Sequence, residues 1–348
     1  MSASTPSILV VHDGNAGNRR QTLALAQAWD LPYDEHALSP RWPWRWAAPR
    51  VLPASSLAFG KDFDAHLVQP PRVAVGCGRQ AALATRLLRQ RGSHVVQILH
   101  PRMPTTHWDA VVLPAHDGVS AANVLCLDGS LNPIDDAWLQ RKRDAHPALG
   151  QGEGPRTVLM LGGPTADSDW DNRALATVMS LLLGWKERDG GRLQVIASRR
   201  TPNSLRRHLR QRLAGRALFW GDESDGPNPY EGALAWADQI VVTPDSANLI
   251  SEAAATRAPM WIALPRWNRG RLRHLITRAI DSGRARPLGP EAGRWDISPW
   301  RESARVAAAL KPYVLERLRE PEADAEADAA PVGSTANACS NSGDASAS

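Results

Sequence analysis

The stretch Val241-Val242-Thr243-Pro244-Asp245-Ser246-Ala247-Asn248-Leu249-Ile250-Ser251-Glu252-Ala253 contains a strand, a turn and the opening of a helix. Gln239–Val242 is a short β-branched run bounded by polar residues, as expected of a buried strand. Pro244 ends it, because proline has no N–H to give a sheet ladder. Asp245 or Ser246 then accepts a free N–H of the first helical turn and starts a helix over 246–256. Glu252 falls nearly two turns into that helix, beside Ile250, Ala253 and Ala254. Its carboxylate is either a surface group or one that reaches into a ligand site for hydroxyl groups.

The same strand–turn–helix unit recurs in both directions from this stretch. Upstream in the second half, strands are expected at 157–161, 193–197 and 217–220 and helices at 172–187, 204–213 and 229–237; a strand at 259–263 follows. In the first half the strands fall at 8–11, 33–37, 72–76, 94–99, 109–113 and 123–127, with helices at 21–29 and 79–91. The Gly- and Pro-rich span HPALGQGEGPR, residues 146–156, reads as a linker. Alternation of this kind predicts parallel sheets with helical crossovers. The fold class is therefore α/β, with a Rossmann-like domain over 1–150, a second over 151–319, and an acidic tail over 320–348 expected to be disordered and dispensable. An amphipathic helix over 299–319 is long enough to pack back across the domain boundary. Two such domains facing each other across a cleft would bind ligands at the carboxyl ends of their strands.

Composition narrows the function. The 348 residues carry a net charge of +5, but six acids and no Lys or Arg lie from Glu320 onward, so residues 1–319 stand at +11. Only Lys61, Lys142, Lys186 and Lys311 among the 41 basic residues are lysines, a bias that a G+C-rich genome explains without nucleic acid. No compact basic helix with stacking aromatics accompanies the charge, which argues against nucleic-acid binding. No apolar run approaches the ~20 residues of a membrane span. The N-terminus lacks a signal-peptide pattern and the three cysteines are widely spaced, so a cytoplasmic location is expected.

Four loops at strand ends carry the candidate chemistry. The first strand runs into His12-Asp13-Gly14-Asn15-Ala16-Gly17-Asn18, where Gly14 and Gly17 let the backbone approach a ligand and the following helix offers N–H groups. It matches neither a P-loop nor Gly-x-Gly-x-x-Gly. Gly162-Gly163-Pro164-Thr165 opens the second domain in the same way. Arg199 and Arg200 follow the next strand, and paired guanidinium forks suit a diphosphate. His116 and Asp117 follow the strand at 109–113. No metal site and no cofactor are expected. Outside these loops, Arg41-Trp42-Pro43-Trp44-Arg45-Trp46 reads as a stiff loop without regular helix, because Pro40, Pro43 and Pro49 punctuate it. Trp42, Trp44 and Trp46 either wedge the loop onto the first sheet or rest, with their arginines, on an anionic membrane surface.

Taken in order, DGNAGNRRQTLALA, PWRW, GCGRQAA, PAHDG, LGGPT, SRRTP, NPYEGALAWAD and VVTPDSANLISEA make the chain resemble the bacterial branch of the mitochondrial-fission ELM family over most of residues 7–318. That family is similar in turn to GT-B glycosyltransferases and UDP-sugar 2-epimerases. The resemblance implies a GT-B-like fold whose second domain binds a nucleoside diphosphate. It gives Glu252 the ribose hydroxyls, the Ser246 region and Gly162–Gly163 the phosphates, and Arg199 or Arg200 the leaving diphosphate. Gly14, Gly17 and Asn18 line the first-domain side. Related transferases commonly carry His where this chain has Asn18.

Two functions follow. One is a metal-independent glycosyltransferase using a nucleotide-sugar as co-substrate, with a lipid-linked or envelope acceptor and with Asp13, or the His116-Asp117 pair, as general base. The other is a non-catalytic nucleotide-sugar-binding or membrane-associated scaffold protein, a reading that the missing imidazole favours.

Overall fold

In the computed structural model, which describes residues 8–168, 170–265 and 268–319, every strand of both sheets is parallel to its neighbours. The chain divides into two compact units. The first holds strands β1 (Ile8–His12), β2 (Asp34–Ala37), β3 (Val73–Cys77), β4 (His94–Ile98), β5 (Ala110–Pro114) and β6 (Val124–Leu127), in sheet order β2-β1-β3-β4-β5-β6. Its helices are α1 (Ala16–Trp29), α2 (Trp44–Ala47), α3 (Lys61–Val68), α4 (Arg79–Arg89) and, from the far end of the chain, α11 (Glu302–Arg319). The second unit contains α5 (Asp136–Ala145), β7 (Arg156–Leu161), α6 (Asn172–Asp189), β8 (Arg192–Ala197), α7 (Asn203–Leu213), β9 (Leu218–Trp220), α8 (Tyr230–Trp236), β10 (Gln239–Val242), α9 (Ala247–Ala254), β11 (Met260–Ile262), α10 (Gly270–Asp281) and β12 (Ala285–Pro287). Its sheet order is β12-β11-β10-β7-β8-β9.

Inner strands such as β1, β3 and β10 are near-continuous apolar runs because helices cover both faces of each sheet. In β1, Ile8 joins a core with Leu25 and Trp29 of α1, and Leu9, one residue on, joins the opposite core with Phe63 of α3 and Leu83 of α4. In the second unit Val158 and Met160 pack with α8 and α9, while Leu159 and Leu161 pack with α6 and α7.

The unit boundaries differ from the linker expected at 146–156. Helix α5, which the sequence reading had assigned no helix and had left in the first domain, buries Trp138 and Leu139 in the core shared with α8 and α9. Helix α11 belongs to the first unit, not the second. Its Val306, Ala307, Leu310 and Val314 complete the core over β3 and α1. The RWPWRW segment contains a single helical turn, Trp44–Ala47, where none was expected. The acidic tail lies outside the described residues.

Candidate functional site

At the carboxyl edge of the second sheet, the loops after β7, β8 and β10 converge on Asp245. Its side chain is fully buried. One carboxylate oxygen accepts the Gly163 N–H at 3.0 Å and the Arg200 guanidinium at 3.1 Å; the other accepts the Trp170 indole N–H at 3.3 Å. Thr243 binds the neighbouring Gly162 N–H at 2.8 Å. Buried Thr201 donates to the carbonyls of Leu161 and Gly162. Both glycine N–H groups are thus already committed. What glycine supplies here is the missing side chain: a Cβ at Gly162 would stand 1.6 Å from an Asp245 oxygen, and one at Gly163 would stand 2.2 Å from the Arg200 carbonyl oxygen.

Ser246, not Asp245, caps α9, its hydroxyl accepting the Leu249 N–H at 3.4 Å. Glu252 follows on the buried part of that helix and accepts a hydrogen bond from the Tyr230 hydroxyl of α8. At its other end α9 is held by Arg284, an almost wholly buried arginine that donates to the carbonyls of Ala253, Ala254, Thr256 and Ala258. Burial pushes the Arg284 pKa down to about 10.

Beside this edge lies a cavity of about 960 Å³, large enough for a drug-sized ligand. Leu161, Ile196, Ala197, Trp220, Tyr230 and Leu249 give it an apolar lining, while Arg199, Arg206, Asp222 and Asn228 supply polar groups. The two neighbouring arginines separate here. Arg199 lines the cavity and is exposed, while Arg200 leans on Asp245. Arg206 donates to the Ser198 and Arg199 carbonyls and so fixes the loop that carries Arg199. Donation from Ser224 holds the Asp222 carboxyl below the usual range, and Arg210 does the same for Asp225.

In the first unit, Asn15 caps α1 by accepting the Gly17 N–H, and Gly14 adopts φ +76°, a left-handed turn that admits glycine without strain. The Gly14 N–H donates to His12 Nδ1 at 3.1 Å, which leaves Nε2 as the donor to Glu35 at 2.8 Å. Glu35 also binds Arg19, whose guanidinium holds its carboxyl below the usual range. Asp13 accepts a bifurcated hydrogen bond from the Asn18 amide nitrogen, 3.1 Å from each carboxylate oxygen, and the Asn15 N–H at 3.0 Å. Asn18 is oriented in turn by the thiol of buried Cys77, which donates to its carbonyl oxygen. His116 and Asp117 sit on the one-turn helix after β5. In the sheet, β1 and β5 are three strand spacings apart, about 14 Å, so Asp13 and the His116-Asp117 pair do not form one group. Among the described residues no cluster of three His, Cys, Asp or Glu could hold a metal ion.

Sequence reasoning had missed Trp170, Thr201, Tyr230 and Arg284. Tyr230 and Thr201 carried a signal, standing in the NPYEGALAWAD and SRRTP segments that bear the resemblance.

The family profile described as mitochondrial fission ELM1 matches residues 16–313. The chain belongs to that family. Among its relatives is the mitochondrial fission protein ELM1 of Arabidopsis thaliana, 28% identical over 219 residues, which cover 55% of this chain and 51% of the plant protein. The chain thus spans about half the length of that relative. An uncharacterised protein of Rickettsia prowazekii is 23% identical, with 88% of this chain and 98% of that protein covered. Among solved structures, the UDP-GlcNAc 2-epimerase of Methanocaldococcus jannaschii superposes with a TM-score of 0.57 at 14% identity, covering 88% of this chain and 99% of the epimerase. The Neisseria meningitidis enzyme, solved bound to UDP-GlcNAc, gives 0.53 at 11%, covering 89% and 92%. This ELM1-family chain therefore has a GT-B-like fold of two Rossmann-like units.

Proposed function

We propose that this ELM1-family protein binds a nucleoside-diphosphate sugar in its second unit and transfers the sugar without a metal ion. The observation that carries the reading is Glu252. It is a buried carboxylate on α9, the helix that follows β10, and is hydrogen-bonded to a tyrosine of the cavity wall. A carboxylate withdrawn from water is costly unless donors reach it, and the paired hydroxyls of a ribose are donors of the kind a carboxylate accepts. Arg199 lines the cavity and would offset diphosphate charge, and the apolar walls suit a base. The likeness to epimerases, one of them solved with UDP-GlcNAc, supports this ligand class. In transfer, an acceptor hydroxyl attacks the anomeric carbon, the bond to the diphosphate breaks and the diphosphate leaves as the anion. Asp13 takes the acceptor's proton, and Asn18 orients its carboxylate.

A second reading is favoured by that same pair. The Asn18 amide engages both oxygens of Asp13, and no imidazole stands in the loop position that related transferases use. On this reading the pocket senses or holds a nucleotide-sugar without turning it over.

Thermal-shift titration with nucleoside diphosphates and their sugars, with chelator present, tests the binding. Ligand at 100 times its Kd should stabilise the native state by about 2.7 kcal/mol. Glu252→Ala should weaken affinity about tenfold or more, the loss of one buried hydrogen-bonded contact. Stabilisation with sugar release across an acceptor panel supports transfer, and stabilisation without turnover supports the second reading. No stabilisation by any nucleotide rejects both.

A further inference from the structure

Five large apolar side chains stand exposed among the described residues, and four of them, Trp42, Trp46, Leu57 and Val68, lie in the crossover between β2 and β3. From this clustering we propose that the β2–β3 crossover of the first unit is a docking surface for an anionic membrane.

The tryptophans do not behave alike. Trp44 is partly buried and packs on the core formed with Phe59 and Phe63, so it fastens the segment down. Trp42 and Trp46, two residues to either side, are 78% and 76% exposed. Their display is built rather than incidental. Arg79 and Arg86, two turns apart on α4, donate to the backbone carbonyls of Arg45, Trp46 and Pro49. The Arg41 N–H bonds the Ala58 carbonyl at 2.8 Å, tying this segment to the turn that carries Leu57. A loop held from three sides presents two indoles to solvent at little further cost in chain entropy.

The charge around them selects the partner. Between Leu38 and Gly60 there is no Asp or Glu, while Arg41, Arg45 and Arg50 are all exposed. The nearest acid before the segment, Glu35, is already held by Arg19 and His12. Indole rings settle at the headgroup level because the ring is apolar while its N–H keeps a polar partner. Arginines beside them then face lipid phosphates. Two indoles ringed by uncompensated cations fit an anionic lipid surface better than a protein, which would meet three unpaired guanidinium groups.

Flotation of the full chain with vesicles tests the proposal. Wild type should float with phosphatidylcholine–phosphatidylglycerol vesicles and not with phosphatidylcholine alone, and should be released as salt rises. Trp42→Ala/Trp46→Ala, which removes only exposed rings, should keep the wild-type melting temperature and lower partitioning about tenfold or more. Arg41→Ser/Arg45→Ser touches no indole, and each arginine lost should cost about fivefold at low salt, the equivalent of about 1 kcal/mol. The proposal fails if wild type does not float, if neutral vesicles bind as well as anionic ones, or if both variants float like wild type. Wild type that stays in solution with every vesicle yet pulls down a protein through these tryptophans would assign the surface to a protein partner instead.

Discussion

Asp245 accepts the N–H of Gly163 at 3.0 Å, and this bond fastens the glycine turn after β7 to the loop after β10. The rest of the site edge hangs on the same carboxylate through Trp170 and Arg200. Replacing it should therefore be felt as stability before it is felt as binding. An asparagine keeps the shape but offers one acceptor oxygen where the acid offers two, so one of the three donors loses its partner. Asp245→Asn should cost about 3 kcal/mol in urea denaturation. Gly162→Ala should do similar damage, because its methyl would overlap an Asp245 oxygen. Wild-type midpoints for both variants would show that Asp245 does not hold this edge.

Adjacent arginines should give opposite phenotypes. Arg200→Met strips the cation from a buried carboxylate and should lower stability by about 1–2 kcal/mol, discounted because its guanidinium is half exposed. Arg199→Met should leave stability unchanged and weaken nucleoside-diphosphate affinity about tenfold, the worth of one charge-assisted contact. Calorimetric titration beside thermal melts separates the two. Identical behaviour of the pair would contradict their placement.

Arg284 closes the carboxyl end of α9 with four carbonyl contacts, two of them at 2.7 Å. Arg284→Ala removes the donors and leaves a cavity, and should cost about 4 kcal/mol. Arg284→Lys keeps a cation at the negative end of the helix but reaches fewer carbonyls, so it should fall between. Equal stability of all three proteins would place α9 under other control.

Acid should erase one surface contribution. Hydrogen bonding from Arg257, helped by Arg301, lowers the Asp136 pKa from 3.8 to about 2. A carboxyl whose folded pKa is depressed adds stability above its unfolded pKa and loses it as pH falls through the folded one. Asp136 is mostly exposed, so the contribution is at most about 1 kcal/mol. The stability difference between wild type and Asp136→Asn should hold steady above about pH 4 and close near pH 2. A gap that widens on acidification would reverse the assignment.

How far the sequence could be read depended on whether the answer was local. The strand at 239–242, the stop at Pro244 and the cap at Ser246 follow from residues next to one another, and the structure has them there. Asp245 was legible only as a second candidate cap. Its partners lie 45, 75 and 82 residues away, and no periodicity encodes them. Arg199 and Arg200 look interchangeable in a row of letters. They differ because one turns toward the cavity and the other toward a buried acid. The length of α11 admitted a return across the domain boundary, but its apolar stripe did not decide it, since Val306, Leu310 and Val314 would suit either core. For RWPWRW the row of letters did not say that Trp44 packs on the core while Trp42 and Trp46 stand exposed.

The return of α11 to the first unit has a consequence during synthesis. Val306, Ala307, Leu310 and Val314 reach the ribosome exit only after the whole second unit has emerged. At about 5–20 residues per second, the stretch from Leu127 to Glu302 takes roughly nine to thirty-five seconds to translate. For that interval the nascent first sheet has α1 over one side of β1 and β3 but lacks its last covering helix. Chaperones that bind apolar surface should dwell there, and arrested chains of increasing length should become protease-resistant in the second unit before the first.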